Sequence, residues 1–197
     1  MIRKNHVKGE KMSKRDLNVC PVEISGFLDT KLRKLFQDPK KILKPYIKKD
    51  MIVLDVGCGP GYFTTEISEL LNGTGKVIGA DLQEGMLLKL KNKAKKLNLN
   101  NVETHKTEKD SINLKEKVDF ILVFYMLHEV PNQKKFLNEL TDLLNKNGKI
   151  LVSEPKFHVK KEDFEKSLQI IDHLGFEIIE NPNIFISRSI LIKAIED

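Results

Sequence analysis

The stretch from Met51 to Gly61, MIVLDVGCGPG, constrains the fold of this chain more than any other part of its sequence. Its first half is an apolar run in which only Asp55 is polar, and such a run is typical of a strand buried in a parallel sheet. Its second half places glycines at positions 57, 59 and 61, directly before a segment with the apolar spacing of a helix. A strand, a glycine turn and a helix bring backbone N–H groups and the positive end of a helix close to a ligand.

The spacing of the glycines narrows the choice of ligand. A dinucleotide fingerprint, G-x-G-x-x-G, would need its last glycine where the chain has Tyr62, and no Lys-Ser or Lys-Thr pair follows to form a P-loop. A second short apolar strand ends in Asp81, 20 positions after Gly61. In a β-α-β unit, an acid at the end of the second strand can accept hydrogen bonds from both hydroxyls of a ribose. The ligand is therefore expected to contain a ribose that carries no phosphate.

Strands and helices are predicted to alternate along the rest of the chain. Further strands are expected at residues 76–80, 102–106, 118–124, 149–153, 176–179 and 190–195. Helices are expected at residues 39–43, 62–72, 83–97, 133–145 and 161–174. This pattern predicts an α/β fold, in which a doubly wound, Rossmann-like, seven-stranded sheet is mostly parallel, has one antiparallel strand and carries helices on both faces.

Four motifs follow one another in the chain. They are LDVGCGPG at 54–61, DL at 81–82, DFILV at 119–123 leading to LHEV at 127–130, and LLNKNGKIL at 143–151. Their order and spacing resemble the class I S-adenosylmethionine-dependent methyltransferases, and the chain is similar to the quinone- and arsenite-methyltransferase-like group of small-molecule enzymes. The resemblance covers most of the chain after Asp38. It implies a methyltransferase that uses S-adenosylmethionine to methylate an unidentified small molecule by in-line displacement. The alternative is a module that binds S-adenosylmethionine or S-adenosylhomocysteine without catalysis.

The resemblance also assigns the residues that would bind the cofactor. They are Asp55, Gly57, Cys58, Gly59, Gly61, Asp81, Leu82, Glu108 and Phe124. Asp55 is expected to anchor the glycine turn or the amino group of the cofactor, and it can also be a buried acid satisfied by backbone N–H groups. Members of the family usually have an acid after the third strand that contacts adenine. Glu108 and Asp110 are both candidates here, and Glu108 is favoured.

The reacting groups are expected beyond the carboxyl ends of the strands, where the strand order reverses. The segments that face this crevice are 57–63, 81–82, 124–129 and 154–158. Methyl transfer depends mainly on alignment, and a base is needed only if the methyl acceptor must lose a proton. His128 and Glu129 are the candidate catalytic residues, and His158 is a third candidate base. A histidine at this position can also serve only to hydrogen-bond nearby backbone.

The amino-terminal quarter carries most of the positive charge. Residues 1–49 hold 14 Lys or Arg and 5 Asp or Glu, a net charge of +9 in a chain whose total is +6. Residues 1–18 are predicted to be a flexible basic arm, residues 19–48 a helical lid, and residues 49–197 the methyltransferase domain. The lid is inferred from an apolar stripe at helical spacing; the alternative is a helix that only packs on the edge of the sheet. The stripe consists of Ile24, Phe27, Leu28, Leu32, Leu35 and Phe36.

Composition excludes several other classes of protein. The chain has no apolar run long enough to span a membrane, and its amino terminus is too polar for a signal peptide, so a cytoplasmic location is expected. Its two cysteines, Cys20 and Cys58, lack the spacing of a zinc site, so no metal is expected, and they are too few to hold trivalent arsenic. No aromatic-rich basic motif is present, so no nucleic-acid partner is expected.

Overall fold

Strands and helices alternate in the computed structural model, which describes residues 36–109 and 111–195. The strands are β1 (Ile52–Val56), β2 (Lys76–Asp81), β3 (Val102–Lys106), β4 (Val118–Phe124), β5 (Leu144–Pro155), β6 (Phe176–Glu180) and β7 (Ser187–Ala194). The helices are α1 (Pro39–Leu43), α2 (Thr64–Leu71), α3 (Glu84–Lys96), α4 (Gln133–Leu143) and α5 (Lys161–His173). A short 3₁₀ helix, Leu127–Glu129, follows β4.

The strands form a single seven-stranded sheet in the order β3-β2-β1-β4-β5-β7-β6. Strands β1 to β5 are parallel to one another, whereas β7 is antiparallel to both of its neighbours, β5 and β6. The expected mostly parallel sheet with one antiparallel strand is therefore confirmed. The chain runs from β1 outward to β2 and β3, and then returns to place β4 on the other side of β1. Ligand crevices of open α/β sheets form beyond the strands at such a reversal.

Apolar side chains cover both faces of the sheet. On one face, Leu54 of β1 and Ile121 of β4 pack with residues of α4 and α5. On the other face, Val53 of β1 and Leu122 of β4 pack with residues of α1 and α2. Neighbouring residues of a strand point to opposite faces, so a strand buried on both sides must be apolar at nearly every position. This requirement explains the continuous apolar runs in the sequence.

The helix α2 ends where the sequence predicts. Asn72 takes the left-handed conformation, with φ +53°, and its N–H donates to the carbonyl of Glu69. Asparagine tolerates this conformation better than most residues, and Gly73 follows it with φ +79°. The helix begins two residues later than expected, at Thr64, because Tyr62 and Phe63 still belong to the turn.

Two strand boundaries differ from those expected by more than two residues. The helix expected at 133–145 is shorter, and Asn147-Gly148, a pair typical of a helix cap, does not end it: α4 ends at Leu143, and Leu144 already pairs with Val118 of β4. The register then shifts, and Asn147, with φ +65°, lies within this irregular part of β5. Strand β7 begins at Ser187, three residues earlier than expected. Its first residues are polar, but they pair with the end of β5, where the hydroxyls of Ser153 and Ser189 are 2.9 Å apart.

Several expectations concern residues outside the described part of the chain. These are the basic arm at 1–18, the lid segment from residue 19 to residue 35, Cys20, and Asp110. The described part of the lid segment contains α1, whose N-cap Asp38 accepts a hydrogen bond from the N–H of Lys40 at 3.0 Å. None of the helices within 36–109 and 111–195 combines the length and the apolar character needed to span a membrane.

Candidate active site

The loops that leave the carboxyl ends of β1, β2, β4 and β5 lie at the same end of the sheet. In the register of the sheet, Val56 of β1 is level with Ala80 of β2 and with Val123 of β4. Val123 is in turn level with Val152 of β5. Because the four strands are parallel and aligned, the segments that follow them converge on one crevice. The crevice predicted between β1 and β4 is therefore built from loops that start at the same height.

The glycine turn after β1 is fastened to the end of β2. The N–H groups of Gly57 and Cys58 both donate to the carbonyl of Ala80, at 2.8 and 3.0 Å. Gly57, Gly59 and Gly61 all have positive φ, at 70°, 53° and 89°. A Cβ atom at Gly61 would lie 2.4 Å from the buried side chain of Leu90, whereas one at Gly59 would meet nothing within 4 Å. The turn therefore packs tightly against α3 on one side and leaves open space beside Gly59.

Asp81 lies at the end of β2 with its carboxylate against this turn. One oxygen, Oδ2, accepts from the N–H of Gly59 at 2.9 Å, and Oδ1 accepts from the N–H of Gln83 at 2.8 Å. The residue is only 9% exposed, and burial raises the pKa of its carboxyl, although backbone N–H groups, including these two, work in the opposite direction. Each carboxylate oxygen can accept a further hydrogen bond. Asp81 is thus in place to bind two neighbouring hydroxyls of a ligand beside the open space at Gly59.

Asp55 and Cys58 are buried beneath the turn. Asp55 is 2% exposed, and its Oδ2 accepts from the hydroxyl of Thr64 at 2.5 Å, which ties β1 to the first residue of α2. Burial, followed by the charges of Asp55 and Asp81, raises the pKa of the Cys58 thiol. A neutral, buried thiol behaves as a small apolar side chain. Asp55 thus secures the helix that follows the turn, and Cys58 packs as a small side chain; the assignment of both residues to a cofactor site stays a prediction.

The remaining predicted cofactor residues lie at different depths around the crevice. Leu82 is partly exposed after Asp81, and Phe124 is buried against Phe63, with their ring centroids 4.3 Å apart. Glu108 is exposed, and its backbone forms a bridge with Ser111. The end of β3 reaches the site because the N–H of Thr107 donates to the carbonyl of Asp81 at 3.1 Å. The assignment of Glu108 to adenine stays a prediction.

The segment after β4 folds back over the glycine turn. Tyr125 takes a left-handed conformation, with φ +61°, and the 3₁₀ helix begins two residues later, at Leu127. A Cβ atom at Gly57 would lie 3.0 Å from Cγ of Met126, so glycine is needed for this close approach. The sharp turn at Tyr125 thereby places His128 and Glu129 at the crevice.

His128 is held by a buried acid from the end of β5. Its Nδ1 lies 2.5 Å from Oε2 of Glu154, whose other oxygen accepts from the N–H of Leu127 at 3.1 Å. The ring of His158 packs edge-on against that of His128, with centroids 4.8 Å apart. The structure thus brings together the two predicted candidate histidines. The contact with Glu154 was not predicted, although residues 154–158 were expected to face the crevice; in the sequence, Glu154 is an acid that Ser153 separates from the apolar run of β5.

The electrostatics of the crevice are dominated by acids. Burial raises the pKa of Glu129 to about 7; His128 lowers this pKa, and the charges of Asp81 and Glu154 raise it. These acids come from the end of β2, the 3₁₀ helix and the end of β5. A carboxyl group whose pKa is raised by burial and by neighbouring acids is typical of functional sites. Their combined field favours a cationic ligand over a neutral one of the same shape.

A second concavity, of about 700 Å³, lies at the opposite end of the sheet. It is lined by residues around the start of β5 and the end of β7, including Asn145 and Lys193. Lys193 forms an ion pair with Glu177 at 3.0 Å, and both side chains are solvent-exposed. The acids with displaced pKa values lie instead at the carboxyl ends of the parallel strands, so we place the candidate site there.

The segment before α1 borders the same crevice. The backbone carbonyl of Gln37 accepts from the hydroxyl of Tyr62 at 2.8 Å, and its side chain donates to the hydroxyl of Tyr125. Phe36 stacks on Phe185 with ring centroids 5.3 Å apart. Gln37 was not predicted, because a polar residue that follows an apolar stripe and precedes Asp38-Pro39 has no motif.

Replacing Glu129 with Gln should have an effect on stability that depends on pH. The folded protein keeps the Glu129 proton up to a pH of about 7, whereas an unfolded chain loses it near its ordinary value of 4.5. The stabilising contribution of this proton is therefore complete below pH 4.5 and is lost as the pH rises through about 7. Glutamine mimics the protonated form, so the melting temperature of Glu129→Gln relative to wild type should increase from pH 5 to pH 8.

Thermal unfolding of both proteins at the two pH values measures this difference. The exposed residue Glu162 supplies a matched control, since Glu162→Gln also removes one carboxylate, from α5. An offset between Glu129→Gln and wild type that is the same at both pH values would contradict the buried, protonated state of Glu129.

Comparison with known proteins places this arrangement in a family. A family profile described as a methyltransferase domain matches residues 47–182. A solved S-adenosylmethionine-dependent methyltransferase from Aquifex aeolicus is 29% identical, with a TM-score of 0.79 over 88% of this chain and 98% of that one.

Curated relatives have more varied names. A probable cobalt-precorrin-6B C(15)-methyltransferase from Saccharolobus solfataricus is 29% identical over 75% of this chain and 72% of its own length. A demethylmenaquinone methyltransferase from Oceanobacillus iheyensis is 32% identical over 51% of this chain, which spans only 43% of that relative. The matched profile covers more than half of the chain and includes the glycine turn, Asp81 and the segment after β4. The chain therefore belongs to the methyltransferase-domain family and has the fold of its S-adenosylmethionine-dependent members.

Proposed function

We propose that this protein transfers a methyl group from S-adenosylmethionine to a small molecule. The observation that carries the proposal is the pairing of Asp81 with the glycine turn, where the carboxylate lies beside open space at Gly59. The residues fit a ribose-containing ligand, since Asp81 can accept two further hydrogen bonds. They also fit a sulfonium, because the acids Asp81, Glu129 and Glu154 favour a positive charge in the crevice.

Each predicted cofactor residue has a physical role in this proposal. Asp81 binds the ribose hydroxyls, Glu108 binds the adenine amino group, and Leu82 and Phe124 provide apolar contact for the adenosine. The other residues shape the turn on which the cofactor rests, and Asp55 secures that turn through Thr64. The members of this second group are Asp55, Gly57, Cys58, Gly59 and Gly61.

The proposed chemistry requires alignment more than acid catalysis. When bound, S-adenosylmethionine supplies an electrophilic methyl group on a sulfonium. The protein positions an acceptor against that group, and such alignment can account for a large part of the rate enhancement. His128 and Glu129 lie at the crevice after β4 and are the proposed catalytic residues. A base among them acts only if the acceptor must lose a proton.

The proposed acceptor is a small molecule. The names of the relatives support this class, since they refer to demethylmenaquinone and to a cobalt-precorrin. Apolar rings line the approach to the crevice: Phe157 is 75% exposed, and its ring lies edge-on to Tyr125 with centroids 6.3 Å apart. An exposed ring next to Tyr125 offers contact area to an apolar part of the acceptor.

Replacing Asp81 with Ala tests the proposal most simply. The substitution should weaken binding of S-adenosylhomocysteine by about 2 to 3 kcal/mol, because hydrogen bonds to a charged group are lost. This loss corresponds to an increase in Kd of about 30- to 150-fold, measured by calorimetric titration. Wild-type protein incubated with methyl-labelled S-adenosylmethionine and a metabolite extract should form a labelled small molecule, and Asp81→Ala should form far less at the same cofactor concentration.

The control is Asp172→Ala, which removes an exposed carboxylate from α5, and it should leave binding and transfer unchanged. An unchanged Kd in Asp81→Ala would show that the ribose is bound elsewhere. Tight cofactor binding by wild type, with no labelled product from any extract, would favour a module that binds the cofactor without catalysis.

We also propose that residues 19–48 act as a lid over the crevice, before the domain at 49–197. The contacts of Gln37 with Tyr62 and Tyr125 hold Gln37 at the edge of the site. The residues that precede Gln37 in the sequence are therefore connected to the domain at that edge. The apolar stripe in residues 24–36 supplies a face that can exclude water from the crevice. The basic arm at 1–18 has no such stripe and takes no part in the proposed lid.

Two truncations distinguish the lid from the arm. Removing residues 1–18 should leave turnover nearly unchanged, whereas removing residues 1–37 should abolish methyl transfer and weaken cofactor binding much less. Both truncated proteins are first compared with wild type by thermal unfolding, to establish that they fold. Turnover with the extract and calorimetric titration with S-adenosylhomocysteine then give the result. Normal turnover after the longer truncation would mean that this segment only packs against the domain.

A further inference from the structure

Glu154 is a buried acid whose two carboxylate oxygens contact two different groups of the segment after β4. Its side chain is 2% exposed; Oε1 accepts from the N–H of Leu127 at 3.1 Å, and Oε2 lies 2.5 Å from Nδ1 of His128. Burying a carboxylate is costly unless it is paired or well hydrogen-bonded. A neutral side chain could also accept the hydrogen bond from the Leu127 N–H, so this bond does not require an acid. The presence of an acid at position 154 is best explained by its contact with the ring of His128.

This contact determines which nitrogen of His128 carries the proton. A carboxylate oxygen can only accept, so Nδ1 must be the donor, and in the neutral ring Nε2 is then an unprotonated acceptor. Within residues 36–109 and 111–195, Nε2 of His128 makes no hydrogen bond. The side chain is still 20% exposed at the edge of the crevice. Nε2 is therefore the nitrogen that remains available to a ligand.

The surroundings of His128 favour its uptake of a proton. Burial opposes a charge on the ring, but the hydrogen bond that His128 donates to Glu154, with the charges of Glu154 and Glu129, outweighs burial and raises the pKa of His128. The groups that face the ring are thus Glu154 from β5, Glu129 from the 3₁₀ helix and the ring of His158 from the segment after β5. A proton that arrives on Nε2 gives an imidazolium bonded directly to a buried carboxylate.

We infer that Glu154 is the positioning residue for His128, which acts as the base, and that the methyl acceptor is an O–H or N–H compound that loses its proton during transfer. The inference rests on the proposed function and adds to it the chemical class of the substrate. The acceptor oxygen or nitrogen forms a bond to the methyl carbon, while the carbon–sulfur bond breaks and its electron pair stays on sulfur. The acceptor proton moves to Nε2 of His128. The positive charge lost from the sulfonium is thus recovered on the imidazolium.

A nitrogen-resolved NMR spectrum tests the positioning role without substrate or cofactor. In protein labelled with ¹⁵N at histidine, the signals of His128 are those that disappear in His128→Gln. Neutral His128 in wild type should carry its proton on Nδ1. Glu154→Gln should lower the pKa of His128, whereas the same substitution at the exposed Glu177 of β6 should not. A wild-type ring with its proton on Nε2 would overturn the inference, even if Glu154→Gln fails to fold.

The role of His128 as the base is tested with methyl-labelled S-adenosylmethionine and the metabolite extract. His128→Gln should lower kcat/KM by about 100-fold or more, as expected for loss of a general base. Wild-type activity should fall as the pH drops through the pKa of His128. In Glu154→Gln this fall should occur at lower pH, because the ring of His128 stays neutral to a lower pH without the carboxylate. A purely structural role for Glu154 would reduce activity or stability but would leave the position of this fall unchanged.

The outcomes separate this inference from the proposed function. If wild type forms no labelled product, the proposed function fails. If labelled product forms but is a C-methyl compound, or a sulfonium or quaternary ammonium compound made from an acceptor without a proton to lose, the inference fails and the proposed function stands. Labelled O-methyl or N-methyl product, together with a shifted pH profile in Glu154→Gln, supports both.

Discussion

The hydrogen bond between the Gly59 N–H and the Asp81 carboxylate joins the two elements on which the candidate site depends. It links the turn after β1 to the end of β2, next to the two hydrogen bonds that the turn donates to Ala80. A glycine turn without this fastening would present its N–H groups in many orientations, and binding would then have to supply the cost of ordering it. The parallel register of β1 with β2 and β4 holds the glycine turn and Asp81 at the same end of the sheet.

The same crevice concentrates groups that do little for the stability of the fold. The carboxyl of Glu129 is held protonated up to about pH 7 by burial and by neighbouring acids, and Glu154 is almost fully buried beside His128. Burying ionisable groups of this kind opposes folding, and the apolar layers on both faces of the sheet have to offset this cost. Unfavourable electrostatics of this kind are common at functional sites, where they favour a ligand of opposite charge or a transferred proton.

The sequence was sufficient to predict the sheet and to single out the glycine turn and Asp81, because both depend on local patterns. Continuous apolar runs identify buried parallel strands, and the glycines at 57, 59 and 61 followed by Asp81 identify the turn and its acid. The start of β7 was missed because Ser187, Arg188 and Ser189 are polar, and they join the sheet only through pairing with β5. The partnership of His128 with Glu154 joins residues 26 positions apart. Gln37 contacts Tyr125 across 88 positions, so neither contact leaves a local pattern.

The crevice between the carboxyl ends of β1 and β4 is proposed to bind S-adenosylmethionine through Asp81 and the glycine turn. A crystal structure of the complex with S-adenosylhomocysteine would be decisive, because the neutral product keeps the adenosine and the sulfur of the cofactor. Both ribose hydroxyls should lie within hydrogen-bonding distance of the Asp81 carboxylate, with the ligand against the open side of Gly59. A ligand bound elsewhere on the sheet, with Asp81 making no contact to it, would show that the proposed cofactor site is wrong.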